Sequence, residues 1–397
     1  VPADAPAGLP AVVCVPWNSG DAGAPPEATL HVTLRTDTGL EVNAQAAPVA
    51  GAAGGARHPV VLWFPLVVDD AMRGETLTFK PGPSGTKPTA PVTIRTIPEQ
   101  AYEFRCRDRV VLRYNHGPKD IHGKTGPKVV LGYIHPVHGL DGQILTQDAP
   151  PDHRHHRGIF WAWPRLHRNG TFIGDWWTLH GIRYRPGKLL DKAEGPVFST
   201  LTADGYWDLE PPQEGQPTRV VREVVTIRVF PPRGDYQFFD VDLELYGLVD
   251  GLTMAGQSAK NKGYGGFTMR LPRAGKTRIV ADGKYLPAEA GHTMYRAYWA
   301  DYSDGFGKPD ADPETTPING AAIFTDPTHP GDPPGWCLRP YGVLNPSWPG
   351  LDFVALRRDK PLTLRYRVVI HRGSAEQARL GELYKLYRTD WAARPQR

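Results

Sequence analysis

Histidine gains and loses its proton near neutral pH and is the commonest protein ligand for metal ions. Nine of the chain's fourteen histidines fall between His116 and His180. The densest group is Asp152-His153-Arg154-His155-His156-Arg157-Gly158; Phe160-Trp161-Ala162-Trp163 follows at once, and Gly174-Asp175-Trp176-Trp177 soon after. Imidazoles beside a carboxylate pass protons, guanidiniums match the oxygens of an anion, and aromatic faces pack on apolar ring faces. These residue types together make a polar-ligand pocket suited to acid/base chemistry.

His153, His155 and His156 are the candidates for proton transfer, with Asp152 or Asp175 to orient an imidazole. Arg157 would meet an anionic or developing charge, and Arg270 and Arg339 could complete a clamp on a carboxylate. His135 and His180 are further substrate-binding candidates, and Trp161, Trp177 and Trp299 are candidate platforms for a sugar ring. Trp163 and Trp176 belong to the same aromatic set, but Trp176 and Trp177 point to opposite sides of a strand, so at most one of them serves a given pocket. His153 and His155 also have the spacing of two metal ligands on one strand face, with His135, His138 or His180 to complete the set and Asp152 behind them. No second ligand set of matching spacing accompanies them, so no cofactor is assigned and a divalent metal stands as the alternative.

Convergence of these side chains constrains the backbone. In a strand starting at His156, His156, Gly158, Phe160 and Ala162 share one face while His155, Arg157, Ile159 and Trp161 share the other. The histidines meet only if the chain loops before Gly158, and Pro150-Pro151 just upstream favours a loop.

The positioning elements read as strands. The 397 residues include 43 glycines and 41 prolines, about a fifth of the chain, which suits turns between strands better than long helices. Alternating or apolar runs mark strands at 30–35, 60–68, 75–80, 91–97, 109–114, 219–230, 237–247, 266–271, 320–325 and 362–371. In 237–247 the alternation sets Phe239, Val241, Leu243 and Leu245 against Asp240, Asp242 and Glu244, which reads as a solvated outer face. Ser374 with Gln377 forms a capping box before a C-terminal helix. Segments 44–57 and 302–318 read as loops, and 116–158 as a long irregular region. The fold expected is all-β: a large antiparallel β-sandwich with few short helices and a C-terminal helix. Residues 1–98 form an N-terminal sandwich-like region and 99–397 the main domain.

Net charge is only +4 with no basic block, so no nucleic-acid partner is expected. No apolar run approaches the roughly 20 residues of a membrane helix. Cys14, Cys106 and Cys337 allow at most one disulfide and show no zinc spacing. The opening Val-Pro-Ala-Asp-Ala-Pro-Ala-Gly suggests a trimmed, exported protein, secreted or periplasmic. The oligomeric state is left open.

Gly132-Tyr133-Ile134-His135-Pro136, the Asp152–Ile159 string, Trp299-Ala300-Asp301-Tyr302-Ser303, Ala322-Ile323-Phe324 and Arg339-Pro340-Tyr341-Gly342 before Asn345-Pro346 form a series. From about Arg109 to Tyr387 the chain resembles the bacterial PmoA-like family ("methane oxygenase PmoA"). The resemblance implies a galactose-mutarotase-like sandwich, a role in glycan catabolism, and a sugar site on a concave sheet with catalytic histidines and a carboxylate. Where that pattern implies an acidic residue before Gly266-Phe267, this chain has Lys262-Gly263-Tyr264-Gly265. The expected function is that of a carbohydrate-active enzyme, a carbon–oxygen lyase or glycoside hydrolase. Elimination at a uronide or keto-sugar is favoured, because histidine bases suit it better than hydrolysis, which relies on paired carboxylates. A non-catalytic sugar-binding sandwich and a metal-dependent sugar-modifying enzyme are the alternatives.

Overall fold

The computed structural model describes residues 1, 4–16, 31–36, 39–48, 60–73, 77, 79–81, 89–98, 101–117, 132–212, 217–287, 291–307, 312 and 315–392. It is an all-β antiparallel sandwich closed by one C-terminal helix, as the alternating runs imply. One nine-stranded sheet carries the strands His292–Arg296, Gly335–Arg339, Val343–Ser347, Gly266–Arg270, Ile159–Ala162, Tyr133–Val137, Arg109–Asn115, Ala101–Cys106 and Val92–Ile97, in that order. A second nine-stranded sheet is built around the long strands Ile182–Glu194, Ser199–Leu209, Arg219–Val229, Tyr236–Gly247 and Leu362–Arg372. Their facing sides share one apolar core that includes Phe104, Phe267, Met269, Leu201, Val241, Tyr366 and Val368.

The second sheet is the middle layer. Ile323, Val368 and Ile370 point into the core it shares with the first sheet, whereas Ala322, Phe324 and Val369 point into another apolar cluster. That cluster is filled by Val12, Trp63 and Leu66 from the N-terminal strands and by Leu383, Tyr384 and Tyr387 from the helix Leu380–Ala392. A sheet covered on both faces needs apolar residues at successive positions, which explains the successive Val368, Val369 and Ile370 in Leu362–Arg372.

Four expectations change. The N-terminal strands form their own five-stranded sheet only as far as Pro81, while Val92–Ile97 pairs with Ala101–Cys106, so a division at residue 98 cuts through one sheet. Asp240, Asp242 and Glu244 do not face solvent. They are buried; Arg367 binds Asp240, Arg228 binds Asp242, and Arg228 packs over Trp63 of the N-terminal sheet. The long strands Ile182–Glu194 and Ser199–Leu209 lie where no strand was expected, the first being polar, proline-bearing and bulged. The assigned loops also contain strands, at Glu41–Pro48, Tyr133–Val137 and Trp299–Asp304; residues 49–57, 118–131, 308–311 and 313–314 of those segments lie outside the described residues. Of the expected strand at 75–80, residues 74–76 and 78 likewise lie outside. The capping box does form, with reciprocal bonds between Ser374 and Gln377, one turn ahead of the regular helix. Among the described residues no helix is long and apolar enough to cross a membrane.

Candidate active site

Two paired strands of the first sheet make the floor. In Gly266–Arg270, Phe267 and Met269 enter the core and pair with Trp161 and Ile159, which leaves Thr268 and Arg270 on the outer face. Phe160, opposite Thr268, faces the same way and meets His156 and Trp177.

The histidine segment loops over this face. Asp148 bridges to Arg157, and within the loop the His153 amide bonds the Pro150 carbonyl and the His156 amide bonds the His153 carbonyl, so two tight turns close in succession. Gly158 then enters the strand with φ +52, and a Cβ there would stand 2.3 Å from the Ile134 carbonyl oxygen. Only glycine fits that approach. Arg270 ties the loop down through its backbone, bonding the Gly158 carbonyl at 2.7 Å and accepting from Gln147 at 2.9 Å.

The Arg270 side chain organises the chemistry. It is buried, and its Nη2 donates to both oxygens of Asp152 at 3.0 and 2.9 Å. Asp152 Oδ2 lies 3.0 Å from His153 Nδ1. A carboxylate only accepts, so Nδ1 carries the proton and Nε2 is left as the free lone pair. Partial burial pushes the Asp152 carboxyl up, but the bonds from His153 and Arg270 outweigh it and hold the group below its ordinary value. The His153 ring stacks between neighbours, 4.7 Å from His156 and 4.8 Å from Tyr341.

Deeper in, burial, reinforced by the neighbouring His153, Arg157 and Arg270, lowers His155 to about 4. Burial, reinforced by His155, His153, Arg270 and Arg157, lowers His156 to about 2. Both rings are therefore neutral at neutral pH. Arg157 is buried over the Phe160 ring, and burial lowers it to about 10, so it keeps its charge. Its Nε has no hydrogen-bond partner among the described residues, and the same holds for Arg270 Nη1 and His156 Nδ1. Trp177, edge-on to His156 and 4.8 Å from Tyr264 between ring centres, forms an aromatic wall.

The structure thus brings together Asp152, His153, His155, His156, Arg157 and Trp177. His135 lies alongside, its Cβ 2.7 Å from where a Gly158 side chain would begin, but its Nδ1 is paired with Thr146. Arg339 is on the outer face near Tyr341 and Tyr264, with its guanidinium bound to His292 O and Thr293 Oγ1. Asp175 accepts from the Trp177 and Thr178 amides; burial nonetheless pushes its carboxyl up, and the group serves a turn beside the wall. His180 is exposed and bridges Asp175 through its backbone. Two tryptophans leave the site. Trp161 stacks on Phe267 inside the core, and Trp299 sits in the apolar cluster on the far face of the middle sheet.

His138 binds its own turn at Gly142 O, and among the described residues no three His, Cys, Asp or Glu side chains gather as a metal-holding group. Cys106 and Cys337 are free. Tyr341 and Tyr264 were not singled out from the sequence as site residues. Tyr341 lies two residues past Arg339, and Tyr264 stands in the segment where an acid was sought.

The profile of a family of unknown function, DUF6807, matches residues 101–385, which span the histidine loop and both large sheets except the edge strand Val92–Ile97. No curated protein matches the chain.

Proposed function

The chain belongs to this family of unknown function, and we propose that it is a carbohydrate-active enzyme that breaks a glycosidic carbon–oxygen bond by elimination beside a carboxylate or keto carbon. The observation that carries this reading is the Arg270–Asp152–His153 relay, which fixes the His153 tautomer and leaves Nε2 free on a ring 34% exposed. An imidazole oriented through its other nitrogen is the arrangement general bases use.

His153 Nε2 takes the proton from the carbon next to the carbonyl group. The electron pair of that C–H bond becomes a carbon–carbon double bond, and the carbon–oxygen bond one position further breaks with its pair on the departing oxygen. Tyr341, stacked on His153 and kept protonated by burial, gives that oxygen a proton. Solvent then restores both groups. Hydrolysis is less well served, because it draws on two carboxyl groups flanking the bond. Here Asp152 is occupied by Arg270 and His153, and Asp175 by backbone amides. Glu223, pushed up to about 7 by burial despite its bond from Trp207, lies inside the core.

The test is incubation of wild-type protein and His153→Ala with a panel of uronate-containing polysaccharides, read by product mass. Unsaturated oligosaccharides from the wild type and at least a hundredfold less from a folded His153→Ala are expected. Equal turnover by the variant would remove the assignment, and retention on a glycan array with no product from the wild type would favour a sugar-binding module.

A further inference from the structure

We propose that the buried end of this site is a carboxylate subsite built on Arg157, so that the substrate is an acidic sugar and not a neutral or keto one; the sugar part of the claim rests on the reading above, the anion part on the geometry alone. Elsewhere the fold pairs its buried guanidiniums. Arg367 holds Asp240 through two bonds of 2.7 and 3.0 Å, and Arg270 holds Asp152. Arg157 is the exception among the buried arginines of the described residues: no carboxylate is hydrogen-bonded to it, although Asp148, which bonds Tyr133 through Oδ2, lies within its electrostatic range. A charge buried without a partner is strongly unfavourable, and proteins keep one chiefly where something else supplies the counter-charge.

The surroundings say what that partner is. Arg157 Nε, Arg270 Nη1 and His156 Nδ1 are buried nitrogens without hydrogen-bond partners among the described residues, each able to donate, in one cluster with two guanidiniums; of the carboxylates there, Asp152 is bonded to Arg270 and Asp148 is not hydrogen-bonded to Arg157. Three unpartnered donors beside two guanidiniums call for an anion with several acceptor oxygens. A keto oxygen supplies no charge and a neutral sugar none, whereas a carboxylate supplies both the charge and two oxygens. The proposed elimination also needs a carbonyl group beside the abstracted proton, which a carboxylate provides and a sulfate ester does not. A guanidinium on that carboxylate stabilises the electron density that accumulates there as the proton leaves. The bound anion also offsets the positive field that keeps His155 neutral, so that substrate binding raises the proton affinity of the ring beside it.

Calorimetric titration with glucuronate, galacturonate, glucose, galactose and inorganic sulfate tests this on wild-type protein, Arg157→Met and Arg157→Lys. A uronate should bind the wild type at least tenfold more tightly than its neutral counterpart. Arg157→Met should lose at least tenfold of that affinity and Arg157→Lys recover part of it. Equal binding of uronate and neutral sugar, undiminished uronate binding by folded Arg157→Met, or sulfate binding as tight as uronate would each overturn the subsite. Should Arg157→Met not fold, histidine ring resonances of the wild type decide: added uronate should shift the His155 and His156 signals and raise the His155 titration, and no shift at saturating uronate overturns the proposal. Uronate binding in this pattern without cleavage of any polysaccharide would sink the elimination and leave the subsite standing. Cleavage that ignores the uronate would do the reverse.

Discussion

Acidification should destabilise this protein through rings that the fold keeps neutral. His155 is lowered to about 4, His156 to about 2 and His329 to about 3 from an ordinary 6.5, burial being the leading cause in each. A lowered folded-state value means that the unfolded chain binds the proton first. The stabilisation is complete above the unfolded value and drains away as pH falls through the window below it. Each fully neutral ring contributes a slope of about 1.4 kcal/mol per pH unit, so His156 and His329 together give nearly 3 kcal/mol per unit. His155, only partly buried, adds a smaller amount that levels off near its folded value. Replacing His156 with Gln keeps a polar group of similar size and removes one proton from the balance. Urea unfolding from about pH 7.5 to about pH 4.5 would give the slope as proton uptake. The variant should take up about one proton fewer than the wild type below pH 6. An unchanged slope, or a His156 resonance titrating at its ordinary value in the folded protein, would refute the claim that the loop holds this imidazole neutral.

Two other perturbations separate orientation from architecture. Asp152→Asn removes the charge that faces buried Arg270; because Asp152 is half exposed, stability should fall by only about 1–2 kcal/mol, while turnover falls about a hundredfold or more as His153 loses its fixed tautomer, read by urea unfolding and product formation. Gly158→Ala places a Cβ 2.3 Å from the Ile134 carbonyl oxygen at a left-handed position, so it should cost about 3 kcal/mol and slacken the whole loop, visible as a lowered melting temperature together with loss of uronate binding.

Much of the architecture could be read from local pattern, because strands of a sandwich alternate wherever one face meets a core. Phe239, Val241, Leu243 and Leu245 do line the main core. What alternation could not show is what covers the opposite face, since a carboxylate under a partner arginine and one in water look alike in sequence; Asp240 and Asp242 belong to the first kind. The same limit separates the tryptophans. Trp161 and Trp177 are sixteen residues apart and chemically identical, yet strand parity sends one into the core and the turn at Asp175 sets the other against the histidines. The loop before Gly158 was legible because parity forbade any other way for the histidines to meet. Its anchor was not: Arg270 lies over a hundred residues away and reaches Asp152 only through sheet pairing.

The central claim is that the Asp152–Gly158 loop eliminates and does not hydrolyse. It is tested most directly by cleaving a uronate-containing polysaccharide in water enriched in heavy oxygen and weighing both new chain ends. The new non-reducing end should be unsaturated, short of the mass of water and free of heavy oxygen, and His153→Ala should give no reaction. A saturated new non-reducing end would contradict elimination.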